Sequence, residues 1–233
     1  MIIGISGLAG SGKDTAAEFL VEDHSFVRVG LADKLKRILK DVFDFTDEQL
    51  WGPSSERNKP DYRYKMSECP ACGGDPKKTG QCEVGCVYLT ARFAAQKLGT
   101  EWARACYLNV WVEDVLRTAK MLLNGPEYRY EKESGIYPSF SSSGYTETRG
   151  IVIPDVRFKN EMSCIRAAGG HLIRLKRGSG LSTEALDGTY SAHSSETEQL
   201  EVPDSYFSAV IDNNKLSLEE LREEVRRVYV NLC

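Results

Sequence analysis

The sequence lacks any long apolar run. No stretch is long enough to cross a bilayer as a helix, so a membrane-spanning role is not expected. It lacks an excess of positive charge: the net charge is −4, which gives no global attraction to nucleic acid or to an anionic membrane. The first residues, Met1-Ile2-Ile3-Gly4-Ile5-Ser6-Gly7, have neither a basic leader nor a cleavable apolar segment. A strand is the better reading, and the expected location is the cytoplasm. No internal repeat is visible. The seven cysteines are an odd number, which in a reducing compartment points to metal binding rather than to a disulfide framework.

What is present is an alternation. The apolar, β-branched run at 2–6 reads as a strand, and 13–22 carries Ala16, Ala17, Phe19 and Leu20 at helical spacing. A strand is expected at 26–31 and an amphipathic helix at 33–43, from Leu35, Ile38, Leu39 and Val42. This β-loop-α-β-α order predicts an α/β fold with a parallel sheet covered by helices. Residues 52–88 break the pattern with prolines, glycines, charges and cysteines. Residues 90–123 read as two helices with a break near Gly99-Thr100, and 124–149 as a polar loop. A third strand is expected at 150–154 and a helix at 157–168, ended by Gly169-Gly170. Further strands follow at 171–176 and 207–211. A last helix runs over 217–230, with Ser217 as N-cap.

The strongest chemical signal is Gly7-Leu8-Ala9-Gly10-Ser11-Gly12-Lys13-Asp14-Thr15. It is a Gly-x4-Gly-Lys loop between a predicted strand and a predicted helix, the context a P-loop requires. Its glycines let backbone amides surround phosphate oxygens, and the helix start adds partial positive charge. Gly10, Ser11, Gly12, Lys13 and Thr15 are therefore the expected ATP-binding residues, with Lys13 following the transferred charge. The position after the lysine, usually Ser or Thr, is Asp14, a carboxylate that can hold Mg²⁺ directly or through water. Asp155 ends the apolar run Ile151-Val152-Ile153-Pro154, either beside the phosphates or as a helix cap. Arg157 can neutralise a phosphoryl group in bidentate fashion.

Four cysteines, Cys69, Cys72, Cys82 and Cys86, form a C-x2-C and a C-x3-C pair within 58–88. Four thiolates suit tetrahedral, structural Zn²⁺, and metal binding would supply folding energy to a short insertion with little core. Reduced thiols in a loop are the alternative. Basic and tyrosine residues near the insertion are either a solvated rim or a small nucleic-acid surface.

Several blocks together resemble deoxynucleoside monophosphate kinases of the bacteriophage type. They are Gly7–Thr15, Leu31-Ala32-Asp33-Lys34-Leu35-Lys36, the stretch Thr90–Trp102 with its Gln-x2-Gly-Thr-Glu core, Asp155-Val156-Arg157-Phe158-Lys159-Asn160-Glu161, and His193-Ser194-Ser195-Glu196. The resemblance implies a single P-loop three-layer domain over 1–233, like nucleoside monophosphate kinases, with a five-stranded parallel sheet and a lid-like segment at 177–196. It implies ATP- and Mg²⁺-dependent phosphoryl transfer to a deoxynucleoside monophosphate, in host cytoplasm if the chain is phage-encoded. Lys13, Asp14, Asp155 and Arg157 would be catalytic. Asp33, Arg92, Gly99, Thr100, Trp111 and Glu161 would bind the acceptor. Trp102 and Trp111 are otherwise core aromatics, Asp33 a helix cap and His193 a structural histidine. The expected partners are ATP and the acceptor nucleotide, and the resembling enzymes often form homodimers. Three other readings stay open: a kinase for a hydroxymethylated pyrimidine, free or within DNA, a kinase for a dephospho-coenzyme or another small metabolite, and a non-catalytic nucleotide- or zinc-dependent interaction protein.

Overall fold

The computed structural model describes residues 1–66, 87–125, 128–138, 148–178, 198–199 and 201–233. The chain divides into two compact units, one formed by Met1–Leu31 with Asn109–Cys233 and the other by Ala32–Leu108.

The first unit carries a five-stranded sheet. Its strands are β1 (Ile2–Ser6), β2 (Phe26–Arg28), β7 (Gly150–Ile153), β8 (His171–Lys176) and β9 (Ala209–Asp212), in the order β2-β7-β1-β8-β9. Every pairing is parallel. Alternate residues of each strand feed opposite faces, as the pleat demands. Ile151 and Ile153 of β7 enter one apolar cluster, whereas Val152 between them enters the other. Helices α1 (Lys13–His24) and α9 (Leu218–Leu232) cover the Val152 face through Ala17, Leu20, Leu221 and Val225. Helices α7 (Val110–Asn124) and α8 (Lys159–Ala167) cover the other through Val112, Val115, Met162 and Ile165. The three-layer α/β expectation and the five parallel strands are thus present, with β1 at the centre.

The termini of these elements follow local chemistry. Ser217 and Glu220 form a reciprocal capping box at the start of α9, with hydrogen bonds of 3.2 and 2.8 Å. Gly169, at φ 77°, ends α8 in the left-handed region that favours glycine. The first edge strand is shorter than the 26–31 expectation. Beyond Arg28 the backbone still bonds Val152 through the Val29 amide, but the Leu31 amide turns to a side chain instead. Part of the stretch expected as loop at 124–149 forms an antiparallel hairpin, β5 (Tyr128–Glu131) and β6 (Gly135–Pro138). Its polar composition hid the pairing, and Gly135 turns the chain at φ 84°.

The second unit contains α2 (Asp33–Phe43), α3 (Asp47–Trp51), α4 (Ser54–Arg57), the antiparallel pair β3 (Pro60–Lys65) and β4 (Tyr88–Thr90), and α5 (Ala91–Gln96). A π-helix spans Lys97–Ala103, and α6 (Arg104–Cys106) follows it. The expected helix break at Gly99-Thr100 is therefore absent. The wider π turn accommodates Gly99, which is buried, and the chain leaves helix at Tyr107 instead. Asp61 is buried in this unit and accepts from the Arg63 guanidinium at 2.8 and 3.0 Å and from Gln49 at 3.1 Å. The Arg63 hydrogen bonds hold its carboxyl down at about 2.

The candidate zinc ligands Cys69, Cys72, Cys82 and Cys86 lie outside the described residues, as do His193 and all of the lid-like segment 177–196 beyond Gly178. Among the described residues, no group of three or more His, Cys, Asp or Glu is arranged to hold a metal ion, and no helix is long and apolar enough to cross a membrane.

Candidate active site

In the first unit, β1 is buried through Ser6 and then releases the chain into the glycine-rich loop. The loop turns on a Ser11 N–H to Leu8 carbonyl bond of 3.2 Å. Two of its residues need glycine for different reasons. Gly10 has φ 74° with open space around it, so only backbone conformation excludes a side chain. Gly12 has φ 93°, and a β-carbon there would meet Asn213 Nδ2 at 2.5 Å. Gly12 is the N-cap of α1 and has no side chain with which to cap the helix. The first-turn amides thus receive no side-chain oxygen at the N-cap, which leaves a cradle suited to an anion. Lys13 turns back over the loop, its Nζ 3.2 Å from the Leu8 carbonyl. Ser11 is buried, and among the described residues its Oγ has no hydrogen-bond partner.

Asp14 is exposed and ion-paired with Arg28, at the end of β2, at 2.5 Å. Glu18, one turn along α1, lies 3.9 Å from the same guanidinium. The pair is open to solvent and worth little in stability. Thr15 is half-buried on the first turn.

Asp155 lies two residues beyond β7. The register Gly4↔Ile153 puts the C-terminal ends of β1 and β7 at the same edge of the sheet, so Asp155 and the glycine loop emerge side by side. The Val156 amide bonds the Ile5 carbonyl at 3.2 Å, tying this segment to β1. One Asp155 oxygen accepts from the Leu31 amide at 3.0 Å. The N-cap position of α8 is Phe158, not Asp155. Glu161 holds the start of α8, accepting from the amides of Arg157 at 2.8 Å and Phe158 at 3.0 Å. Phe158 has no side-chain acceptor, so this is half a capping box. Glu161 is buried in that role, and Arg157 projects to solvent. Trp111 is half-buried against the second apolar cluster.

In the second unit, Asp33 is the buried first residue of α2 and accepts from Trp51 Nε1 at 3.1 Å. Lys36 sits over the Trp51 ring, 5.6 Å from its centroid. Arg92 is exposed, with Nη1 3.3 Å from Ser54 Oγ. Gly99 and Thr100 share the π-helix with Trp102, which is 62 % exposed. A cavity of about 360 Å³ opens in this unit beside Ile38, Val42, Phe43, Phe93, Leu98 and Trp102. Its lining is almost wholly apolar apart from Lys97, and it includes neither Arg92 nor Thr100.

Three contacts in these surroundings went unnoticed in the sequence: Arg28 on Asp14, Trp51 on Asp33, and Asn213 on the glycine loop. Each joins residues distant in sequence. Asn213 alone had a visible cue, a polar Asp-Asn-Asn punctuation between an apolar strand and a capped helix.

No family model matches the chain. A protein of Acanthamoeba polyphaga mimivirus, provisionally named a deoxynucleotide monophosphate kinase, is 26 % identical over 225 residues, covering 97 % of this chain and 94 % of the relative. Among solved structures, one provisionally named a kinase from Chloroflexus aurantiacus aligns at 12 % identity and a TM-score of 0.42, over 100 % of this chain and 97 % of the other. The dephospho-CoA kinase of Campylobacter jejuni aligns at 14 % identity and a TM-score of 0.43, over 99 % and 96 %.

Proposed function

We propose that the chain is an ATP-dependent kinase that transfers the γ-phosphoryl group to a deoxynucleoside monophosphate, giving ADP and the diphosphate. The observation that carries this reading is the uncapped glycine loop at the start of α1, with Lys13 on it and Asp155 emerging at the same sheet edge. The mimivirus relative supports the acceptor class, because its similarity runs over nearly the whole chain rather than the loop alone.

The donor set fits Mg·ATP. The amides of Gly10, Gly12 and Lys13 and the first-turn Thr15 suit phosphate oxygens, while the Ser11 amide is bonded to the Leu8 carbonyl and Ser11 keeps its hydroxyl for a ligand. Asp14, Thr15 and Asp155 supply hard oxygen ligands of the kind Mg²⁺ takes. The ion, when bound, neutralises charge developing on the phosphate oxygens. Phosphoryl transfer needs positioning and charge neutralisation more than covalent help. Lys13 supplies a mobile cation, and Arg157, exposed beside Asp155, supplies a planar one. The Leu31 amide keeps Asp155 oriented. Asp33, Arg92, Gly99, Thr100, Trp111 and Glu161 are our candidates for acceptor recognition. Glu161 would act through the backbone of Arg157, whose amide it holds. Cys69, Cys72, Cys82 and Cys86 remain candidate structural zinc ligands.

The test is an ADP-release assay with Mg·ATP against each of the four common deoxynucleoside monophosphates. Turnover with at least one, and none without acceptor, supports the reading. Turnover confined to a hydroxymethylated pyrimidine, or absent with every acceptor, overturns it.

A further inference from the structure

Asn213 is the first residue beyond β9, and its backbone is fixed there. Its amide bonds the Lys176 carbonyl at 2.7 Å, extending the β8–β9 ladder one step past the Lys176↔Asp212 pair. The residue is 4 % exposed, and Nδ2 donates to the Ser11 carbonyl at 2.9 Å across 202 residues of sequence. Only a donor suits that carbonyl, so the amide's orientation is settled by chemistry.

Ser11 lies between two left-handed glycines, Gly10 at φ 74° and Gly12 at φ 93°. Glycine adopts either sign of φ with little penalty, so the Ser11–Gly12 peptide has low intrinsic preference for one orientation. A trans peptide is planar, and its C=O and N–H point in opposite directions. A hydrogen bond that pins the Ser11 oxygen therefore pins the Gly12 N–H on the far side of the same plane. Glutamine is too long for this place, because even a β-carbon on Gly12 would approach Nδ2 to 2.5 Å. An ionised aspartate has the length but no proton to donate, and would face the carbonyl with like charge.

We propose that Asn213 is a positioning residue: it holds the glycine loop in the conformation that grips a polyphosphate chain, by fixing the peptide between Ser11 and Gly12. This rests on the proposed kinase reading and deepens it. Asn213 acts on the phosphate end of the nucleotide, independently of the base.

The experiment compares the wild-type chain with N213A and N213D by calorimetry, using two probes, Mg·ATP and Mg·tripolyphosphate, which has no base. A donor bond of this kind corresponds to about tenfold in affinity. Both variants should bind both probes about tenfold more weakly while melting cooperatively near the wild-type temperature. In N213D the loss, relative to wild type at each pH, should shrink as pH falls through titration of the introduced carboxyl, because the protonated acid again donates to Ser11. Equal binding by wild type and variants overturns the inference. So does loss of Mg·ATP with tripolyphosphate binding kept, which would assign Asn213 to the base, and so does a pH-independent loss in N213D. Should N213A fail to fold, N213D, which matches the native side chain in shape, carries the test. A wild-type chain that binds neither probe instead overturns the kinase reading itself.

Discussion

The Leu31 amide and the Asp155 carboxylate meet at 3.0 Å, joining residues 124 apart in sequence. This bond ends the regular pairing of the first edge strand and at the same time orients the acid that emerges beside the glycine loop. Asp155→Asn keeps an oxygen acceptor for Leu31 and removes only the charge. The expected outcome is a fall in kcat of about 100-fold with thermal stability little changed. An unaltered kcat in steady-state kinetics would move the metal-steering acid elsewhere.

Lys13 is half-buried and turns back to the Leu8 carbonyl at 3.2 Å. Its replacement by alanine costs the loop a contact worth roughly 1 kcal/mol but costs the reaction its mobile cation. Lys13→Ala is expected to lower kcat by about 100-fold or more, with circular dichroism and melting temperature near those of wild type. Undiminished turnover would refute its assignment.

Asp61 gives the pH dependence. Its carboxyl lies at about 2 rather than the ordinary 3.8, chiefly through the Arg63 hydrogen bonds. A carboxyl lowered in the folded state stabilises the protein above its unfolded value, and this is lost as pH falls from near 4 towards 2. The guanidinium is half-exposed and screened, so the contribution is on the order of 1–2 kcal/mol. Asp61→Asn should be less stable than wild type at pH 7 by that order. Urea unfolding should find the gap narrowing below pH 4, and a gap that widens there would contradict the ion pair as its source.

The cysteine pairs predict about one zinc per chain by elemental analysis. Replacing Cys69 and Cys72 by serine should abolish the metal and lower the melting temperature. A metal-free wild-type chain prepared without chelators, with full activity, would leave the reduced-thiol reading standing.

Much of the fold was legible because its signals are local. The apolar runs at 2–6, 150–154 and 171–176 match strands, the second ending one residue early at Ile153, and Leu35, Ile38, Leu39 and Val42 mark α2. Gly169-Gly170 and Ser217 mark helix ends through their own backbone chemistry. The β5–β6 hairpin was not read from the sequence: Tyr128-Arg129-Tyr130-Glu131 does alternate, with Tyr128 and Tyr130 packing on the second apolar cluster, but the signal is four residues long and sits in a polar stretch. Nor was the π-helix, because Gly99 reads as a breaker until neighbouring packing supplies a wider turn.

The glycine loop belongs to what sequence alone determined: glycine at 10 and a lysine opening a helix declare themselves through φ and charge, with no distant partner needed. What the tertiary structure alone decided is the set of partners. Asp155 receives Leu31 while Glu161 takes the start of α8; Asp14 meets Arg28; Asn213 reaches Ser11. The physical reason is the parallel sheet. It brings the C-terminal ends of strands far apart in sequence to one edge, and a hydrogen bond over three ångströms depends on that register, which no local pattern encodes.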